Sequence, residues 1–199
     1  MKKVNKYILE INNEVDIKNF YNNLNSYIKN INKSNMELII NNKISDLEKY
    51  ELKEIEKIYN IKDSYKRLSY TYDSICDTLD KYVTNNICEF DDKGLCIAER
   101  NNKTKTNTNG CCGKCIYVGN KGCTIKSLTC KMFYCKYIKS IKQIPNYKDI
   151  KVYKYFLTKP QKLILETSFW TTKEENMKKL YKSTYIRWLF MKNKEMKRY

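Results

Sequence analysis

Along the first 86 residues, apolar positions recur three and four apart, the period of one helical face rather than of a strand. Ile17, Phe20, Tyr21, Leu24, Tyr27, Ile28 and Ile31 make one such series, with Asp16 as its predicted N-cap. Ser45 and Glu48 form a capping box ahead of a second series, Leu47, Leu52, Ile55, Ile58 and Tyr59. The third is the most continuous: Tyr65, Leu68, Tyr72, Ile75, Cys76, Leu79, Tyr82 and Val83 lie in a single stripe. Two stretches break this rhythm. VNKYILEI near the start and NMELIINNKI between the first two helices read either as short strands or as extended links.

The helical pattern then stops. NNKTKTNTNG, residues 101–110, is polar and aperiodic and reads as an exposed loop. A lysine-rich connector runs to Pro145, and helical periodicity resumes beyond it. Pro160 sits near a helix start, where its missing N–H costs little. Thr171 or Thr172 caps a last helix with Glu174 and Glu175 in its first turn, where both carboxylates complement the helix dipole. Met177, Leu180, Tyr181, Thr184, Trp188 and Met191 share one face of it. The expected fold is mainly α, with an irregular cysteine-rich metal-binding segment between two helical halves: residues 1–86, 87–136 and 137–199.

Composition changes the picture in two places. Apolar residues make up 42% of the 199 and charged residues 31%, which suits a globular chain. No stretch approaches the roughly 18 to 20 continuous apolar residues of a membrane span. The basic opening MKKVNKYILEINNEVD lacks a secretory core, because Glu10, Asn12, Asn13 and Glu14 interrupt it, so a cytoplasmic location is expected. The net charge is +17, but it is unevenly placed. Residues 1–100 hold 16 basic and 17 acidic side chains, whereas residues 101–199 hold 23 and 5. Between Glu99 and Asp149 there is no acidic residue at all.

A basic half with interleaved aromatics, as in Tyr134-Cys135-Lys136-Tyr137 and Tyr153-Lys154-Tyr155-Phe156, raises nucleic acid as a partner, with lysines on phosphates and rings on bases. Only four of the 39 basic residues are arginine, the usual fork for phosphates, and abundant Lys, Asn, Ile and Tyr also follow from an A/T-rich coding sequence. The apolar run Trp188-Leu189-Phe190-Met191, followed by Lys192, Lys194, Lys197 and Arg198, packs on the core or docks a protein partner or acidic membrane surface.

The nine cysteines and absent histidines carry the strongest chemical signal. Cys76 falls in the third helical stripe and reads as a small buried hydrophobe. Setting it aside leaves Cys88, Cys96, Cys111, Cys112, Cys115, Cys123, Cys130 and Cys135, the ligand number of two four-cysteine sites. Cys112-Gly113-Lys114-Cys115 has the two-residue spacing that turns neighbouring sulfurs onto one ion. Four of the five glycines (Gly110, Gly113, Gly119 and Gly122) fall at or within the dense run Cys111–Cys135, as a tight backbone wrap requires. Lys114, Lys121, Lys126, Lys131 and Lys136 are interleaved with them and offset the formal charge of −2 that four thiolates leave on a zinc ion or a four-iron cluster. An odd cysteine total in a reducing compartment disfavours a disulfide framework.

Residues 111–135 resemble the cysteine-rich zinc- or iron-chelating domain family, in the succession Cys115, Gly122-Cys123, Ile125, Cys130, Phe133 or Tyr134, and Cys135. The chain has Ser127-Leu128-Thr129 where that family usually carries Arg-Pro. The resemblance implies metal chelation and no particular biochemical role. Thiolate ligation suits zinc and 4Fe-4S clusters alike, with zinc the commoner partner of a cysteine knuckle. Dithiol–disulfide cycling at Cys112 and Cys115 is the redox alternative, but the strand–helix alternation of a thioredoxin-like site is not apparent around them. With no histidine there is no Ser-His-Asp or Cys-His catalytic constellation. An iron–sulfur redox protein or enzyme remains the second functional reading.

Overall fold

The computed structural model describes residues 5–82, 118–119, 122–123, 128–132, 149–168 and 171–183. These are mainly helical, as the periodicity predicts. The chain divides into two compact units, each discontinuous in sequence: residues 1–75 with 148–158, and residues 76–147 with 159–199.

In the first unit the two ambiguous stretches are strands. β1 (Asn5–Ile11) and β2 (Ser34–Ile40) pair in parallel, Asn5 opposite Ser34 through Ile11 opposite Ile40. A parallel pair needs a crossover, and α1 (Glu14–Lys29) supplies it. The strand character lies in a period of two. Ser34, Met36 and Leu38 are buried while Asn35 and Ile39 are exposed, and Ile8 on β1 is exposed while Ile11 is buried.

α1 begins earlier than expected. Asn13, not Asp16, is the N-cap: its side chain accepts from the N–H groups of Val15 and Asp16. Asp16 reaches back to accept from Asn12 N–H at 2.9 Å, which makes it the return half of the cap. Asn and Asp cap about equally well, so capping preference does not choose between them, and the end of β1 at Ile11 sets the terminus at Asn13. Ile17, Phe20 and Leu24 form the buried face.

α2 (Asp46–Asn60) starts at the predicted cap, with Ser45 Oγ accepting from Glu48 N–H and donating to the Glu48 carboxylate. Leu52, Ile55, Ile58 and Tyr59 are completely buried, whereas Leu47, on the first turn, is 39% exposed. α3 (Ser64–Tyr82) follows, and its stripe is buried at Leu68, Tyr72, Ile75, Cys76 and Leu79, while Tyr65 at its first turn is exposed. Its residues up to Ile75 belong to the first unit and those from Cys76 to the second. Tyr70 on α3 donates to Glu54 on α2, a buried carboxylate that Lys57 also pairs at 2.9 Å.

The outer edge of β2 is closed by side chains of α2. Asn60 accepts from Met36 N–H at 2.9 Å and donates to Met36 C=O at 2.7 Å. Glu56 accepts from Leu38 N–H at 2.9 Å, and Lys53 donates to Leu38 C=O at 2.8 Å. The spacing of Lys53, Glu56 and Asn60 puts all three on one helical face, so the helix stands in for a neighbouring strand. Two cations close the helix ends. Lys62 donates to the carbonyls of Ile31, Ser34 and Tyr59, and Arg67 donates to the carbonyl of Ile61. Burial pulls both below their ordinary pKa, as expected where water is displaced from a cation.

Far along the chain, α5 (Lys151–Phe156) packs against α1 and α2 and completes this unit. Val152 and Tyr153 are buried, and Tyr155 stacks on Tyr21 with centroids 5.9 Å apart and planes 7° from parallel.

The second unit contains a short antiparallel hairpin, β3 (Val118–Gly119) with β4 (Gly122–Cys123), a one-turn helix α4 (Leu128–Lys131), and α6 (Lys159–Thr167), which starts one residue before Pro160. α4 packs on α6, and Thr129 Oγ1 donates to Leu165 C=O. A last helix, α7, spans residues 173–183. Its cap is Thr172 in a reciprocal box: Thr172 Oγ1 accepts from Glu175 N–H at 3.2 Å, and the Glu175 carboxylate accepts from Thr172 N–H at 2.8 Å. Met177 and Leu180 are buried and Tyr181 is exposed. Thr184, Trp188 and Met191, predicted on the same face, lie outside the described residues, as does the run to Arg198.

Candidate metal centre

Of the eight candidate ligands, Cys88, Cys96, Cys111, Cys112, Cys115 and Cys135 lie outside the described residues. The backbone of Cys123 is placed in β4 and that of Cys130 in α4. Among the described residues no group of three or more Cys, Asp or Glu side chains stands ready to hold a metal ion. Cys76 is 7% exposed on the apolar face of α3, as a small core residue would be.

Local folding around Cys123 and Cys130 nevertheless constrains the segment. The antiparallel register sets Cys123 opposite Val118 and Gly122 opposite Gly119. Cys123 is thereby returned beside a position only three residues past Cys115. Beyond it, Leu128 is fully buried and Thr129 is 2% exposed, which ties the turn containing Cys130 into the core of the second unit. Every one of the nine cysteines falls within the sequence span of that unit, and none within the first.

The basic residues divide as well. The first unit holds 16 basic and 12 acidic side chains and the second 23 and 10, so +13 of the +17 belongs with the cysteines. One of the two aromatic–lysine runs, Tyr153–Phe156, and one of the four arginines make packing contacts in the first unit. Tyr153 is 2% exposed and belongs to the core, while half-buried Tyr155 is stacked on Tyr21. Arg67, one of the four arginines, is bound to backbone carbonyls and to Asn32. Tyr134 and Tyr137, like Arg100, Arg187 and Arg198, lie outside the described residues.

Sequence reasoning did not find the polar face Lys53–Glu56–Asn60 that closes β2. Its signal was present as three long polar side chains at helical spacing beside a stretch that alternates with period two. Among the described residues no helix is long and apolar enough to cross a membrane. Comparison with protein-family models, with curated proteins and with solved structures returns no match for this chain.

Proposed function

We propose that this chain is a metal-binding protein in which Cys88, Cys96, Cys111, Cys112, Cys115, Cys123, Cys130 and Cys135 supply thiolates to zinc, as two four-cysteine sites. The observation that carries this reading is the density of cysteine itself: six fall between Cys111 and Cys135, interleaved with lysines and free of any acid. Thiolates that close together repel one another unless a cation gathers them, and the lysines then balance the negative cage. The hairpin that pairs Cys123 with Val118, three positions along the sequence from Cys115, is compatible with the same reading. With all ligand positions taken by sulfur, the zinc is structural and its role is to hold the second unit together. The +13 surface of that unit then serves a nucleic-acid or acidic protein partner in a cytoplasmic setting.

Elemental analysis of freshly purified full-length protein tests the metal. The expected result is colourless protein with about two zinc per chain. Brown protein containing iron and labile sulfide replaces zinc with a 4Fe-4S cluster and moves the reading to electron transfer or catalysis. Metal-free protein that stays folded in chelator removes both. The partner is tested by binding to random DNA and RNA over a salt series, where a flat salt dependence ends the nucleic-acid reading.

A further inference from the structure

The two edges of the β1–β2 sheet are finished differently. On β2, the outward groups of Met36 and Leu38 are bonded to α2, so Asn35, Glu37 and Ile39 turn theirs toward β1. Ile11 C=O accepts from Asn41 N–H, which fixes Tyr7, Leu9 and Ile11 as the β1 residues that face β2. Lys6, Ile8 and Glu10 therefore turn their N–H and C=O groups outward. Among the described residues β1 pairs only with β2, and these outward groups form an open strand edge.

The side chains on this edge read Lys6, Ile8, Glu10, all exposed, with Ile8 at 57%. That order is its own complement when the strand is reversed. From this we infer that β1 is a dimerisation edge, and that its partner is β1 of a second copy of this chain, antiparallel and centred on Ile8. In that arrangement Ile8 opposes Ile8 of the second copy, and Lys6 opposes Glu10 at both ends. Each of the three residues exchanges both backbone hydrogen bonds with its opposite number. Lys6 already pairs with Glu37 across the sheet, so it comes to sit between two carboxylates. Ile39, 50% exposed on the same sheet face, lies diagonal to Ile8 and extends the apolar stripe. The outcome is a four-stranded sheet, β2–β1–β1–β2, with both outer edges closed by an α2 helix. Two-fold dimers are the commonest homo-oligomers, and a two-fold interface needs a surface that is its own complement.

On the other sheet face the same edge borders a cavity. A cavity of about 230 Å³ lies beside β1, with Leu9, Phe20 and Tyr27 as apolar walls and Asp16, Asn19 and Asn23 of α1 along its side. The reversed strand places its Tyr7 opposite Leu9, at the mouth of this space.

Sedimentation of the full-length chain over a concentration series tests the assignment. The wild type is expected to show a monomer–dimer equilibrium. Lys6→Glu and Glu10→Lys each turn two attractive pairs into repulsive ones and should weaken the dimer by about tenfold or more. The double variant K6E/E10K restores both pairs and should recover it. Ile8→Lys sets two lysines against each other and should abolish it. All three positions are exposed, and circular dichroism melts on each variant confirm that the fold persists. A wild type that stays monomeric throughout overturns the proposal and leaves the edge to a strand of another protein. A dimer indifferent to Ile8→Lys, or one that the double variant fails to restore, overturns it equally.

Discussion

The two units of this chain divide its chemistry between them. The first holds no cysteine and a net charge of +4; the second holds all nine cysteines and +13. In the first, order comes from a packed apolar core and from side chains that finish the backbone: Asn60, Glu56 and Lys53 close an edge strand, and Lys62 and Arg67 close helix ends. In the second, the described helices supply a few buried residues, Leu128, Leu165, Met177 and Leu180 among them, while the long stretch between α3 and α4 is rich in lysine, asparagine and cysteine. Under the reading proposed above, it is bound metal that gathers this stretch.

That contrast can be broken most sharply by removing metal. Structural zinc sites contribute about 10 to 16 kcal/mol to the folding of small modules, so under the proposed reading chelation should unfold the second unit outright. Amide exchange is expected to rise across α4, α6 and α7 and to stay slow in β1, β2 and α2. Uniform protection in chelator would erase the distinction between the units. The next effect belongs to the first unit: Leu52 is completely buried, and Leu52→Ala should cost about 2 to 5 kcal/mol in a denaturant titration, with zinc content unchanged.

Finishing the β2 edge is worth less. Asn60→Ala leaves Met36 N–H and C=O without their helix partner and should cost about 1 to 3 kcal/mol. Asn60→Asp keeps the acceptor but sets a carboxylate against Met36 C=O, so it should do no better than alanine; full stability in both variants would show that water serves the edge as well as α2 does. In the second unit, Thr172→Ala should cost about 1 kcal/mol through loss of the α7 cap.

The smallest effect is alkaline. A hydrogen bond from Lys57 to Glu54, with their mutual attraction, raises the Lys57 pKa above its ordinary 10.5. The folded state then keeps this proton where the unfolded chain loses it. The contribution is complete below about pH 10.5 and fades as pH rises through the folded value. Burial raises the Tyr70 hydroxyl in the same direction. Because the Lys57 side chain is 59% exposed, solvent screens the pair, and Glu54→Gln should flatten the alkaline slope by only a few tenths of a kcal/mol. An unchanged slope would mean that the pair contributes nothing measurable.

How far the sequence could be read varies along the chain. Helix stripes and polar caps were plain, because both depend on residues three or four apart: Ser45 with Glu48 and Thr172 with Glu175 stand where their spacing puts them. The α1 cap was misplaced by three residues, since Asn13 and Asp16 are equally able and only the chain's path out of β1 chooses between them. The strands were half legible. Seven residues alternating with period two are compatible with a link, and what makes them a sheet is a partner about thirty positions away. The candidate ligands were legible as a set, from spacing and charge, but thiolate pairing is a property of three-dimensional approach and spacing alone does not express it.

By itself, then, the order of residues determined the helical stripes, the caps at Ser45 and Thr172, the place of Cys76 in an apolar face and the concentration of sulfur and lysine in one span. Each of these follows from interactions within a turn or two of chain, or from composition. Tertiary structure alone decided that NKYILEI and NMELII run parallel, that Lys53, Glu56 and Asn60 serve a strand rather than solvent, and that Tyr153 joins the core and Tyr155 stacks on Tyr21 from about 130 positions further along the chain. Backbone groups left open by one element must be met by whatever element packs there, and that neighbour is fixed only when the chain has closed on itself.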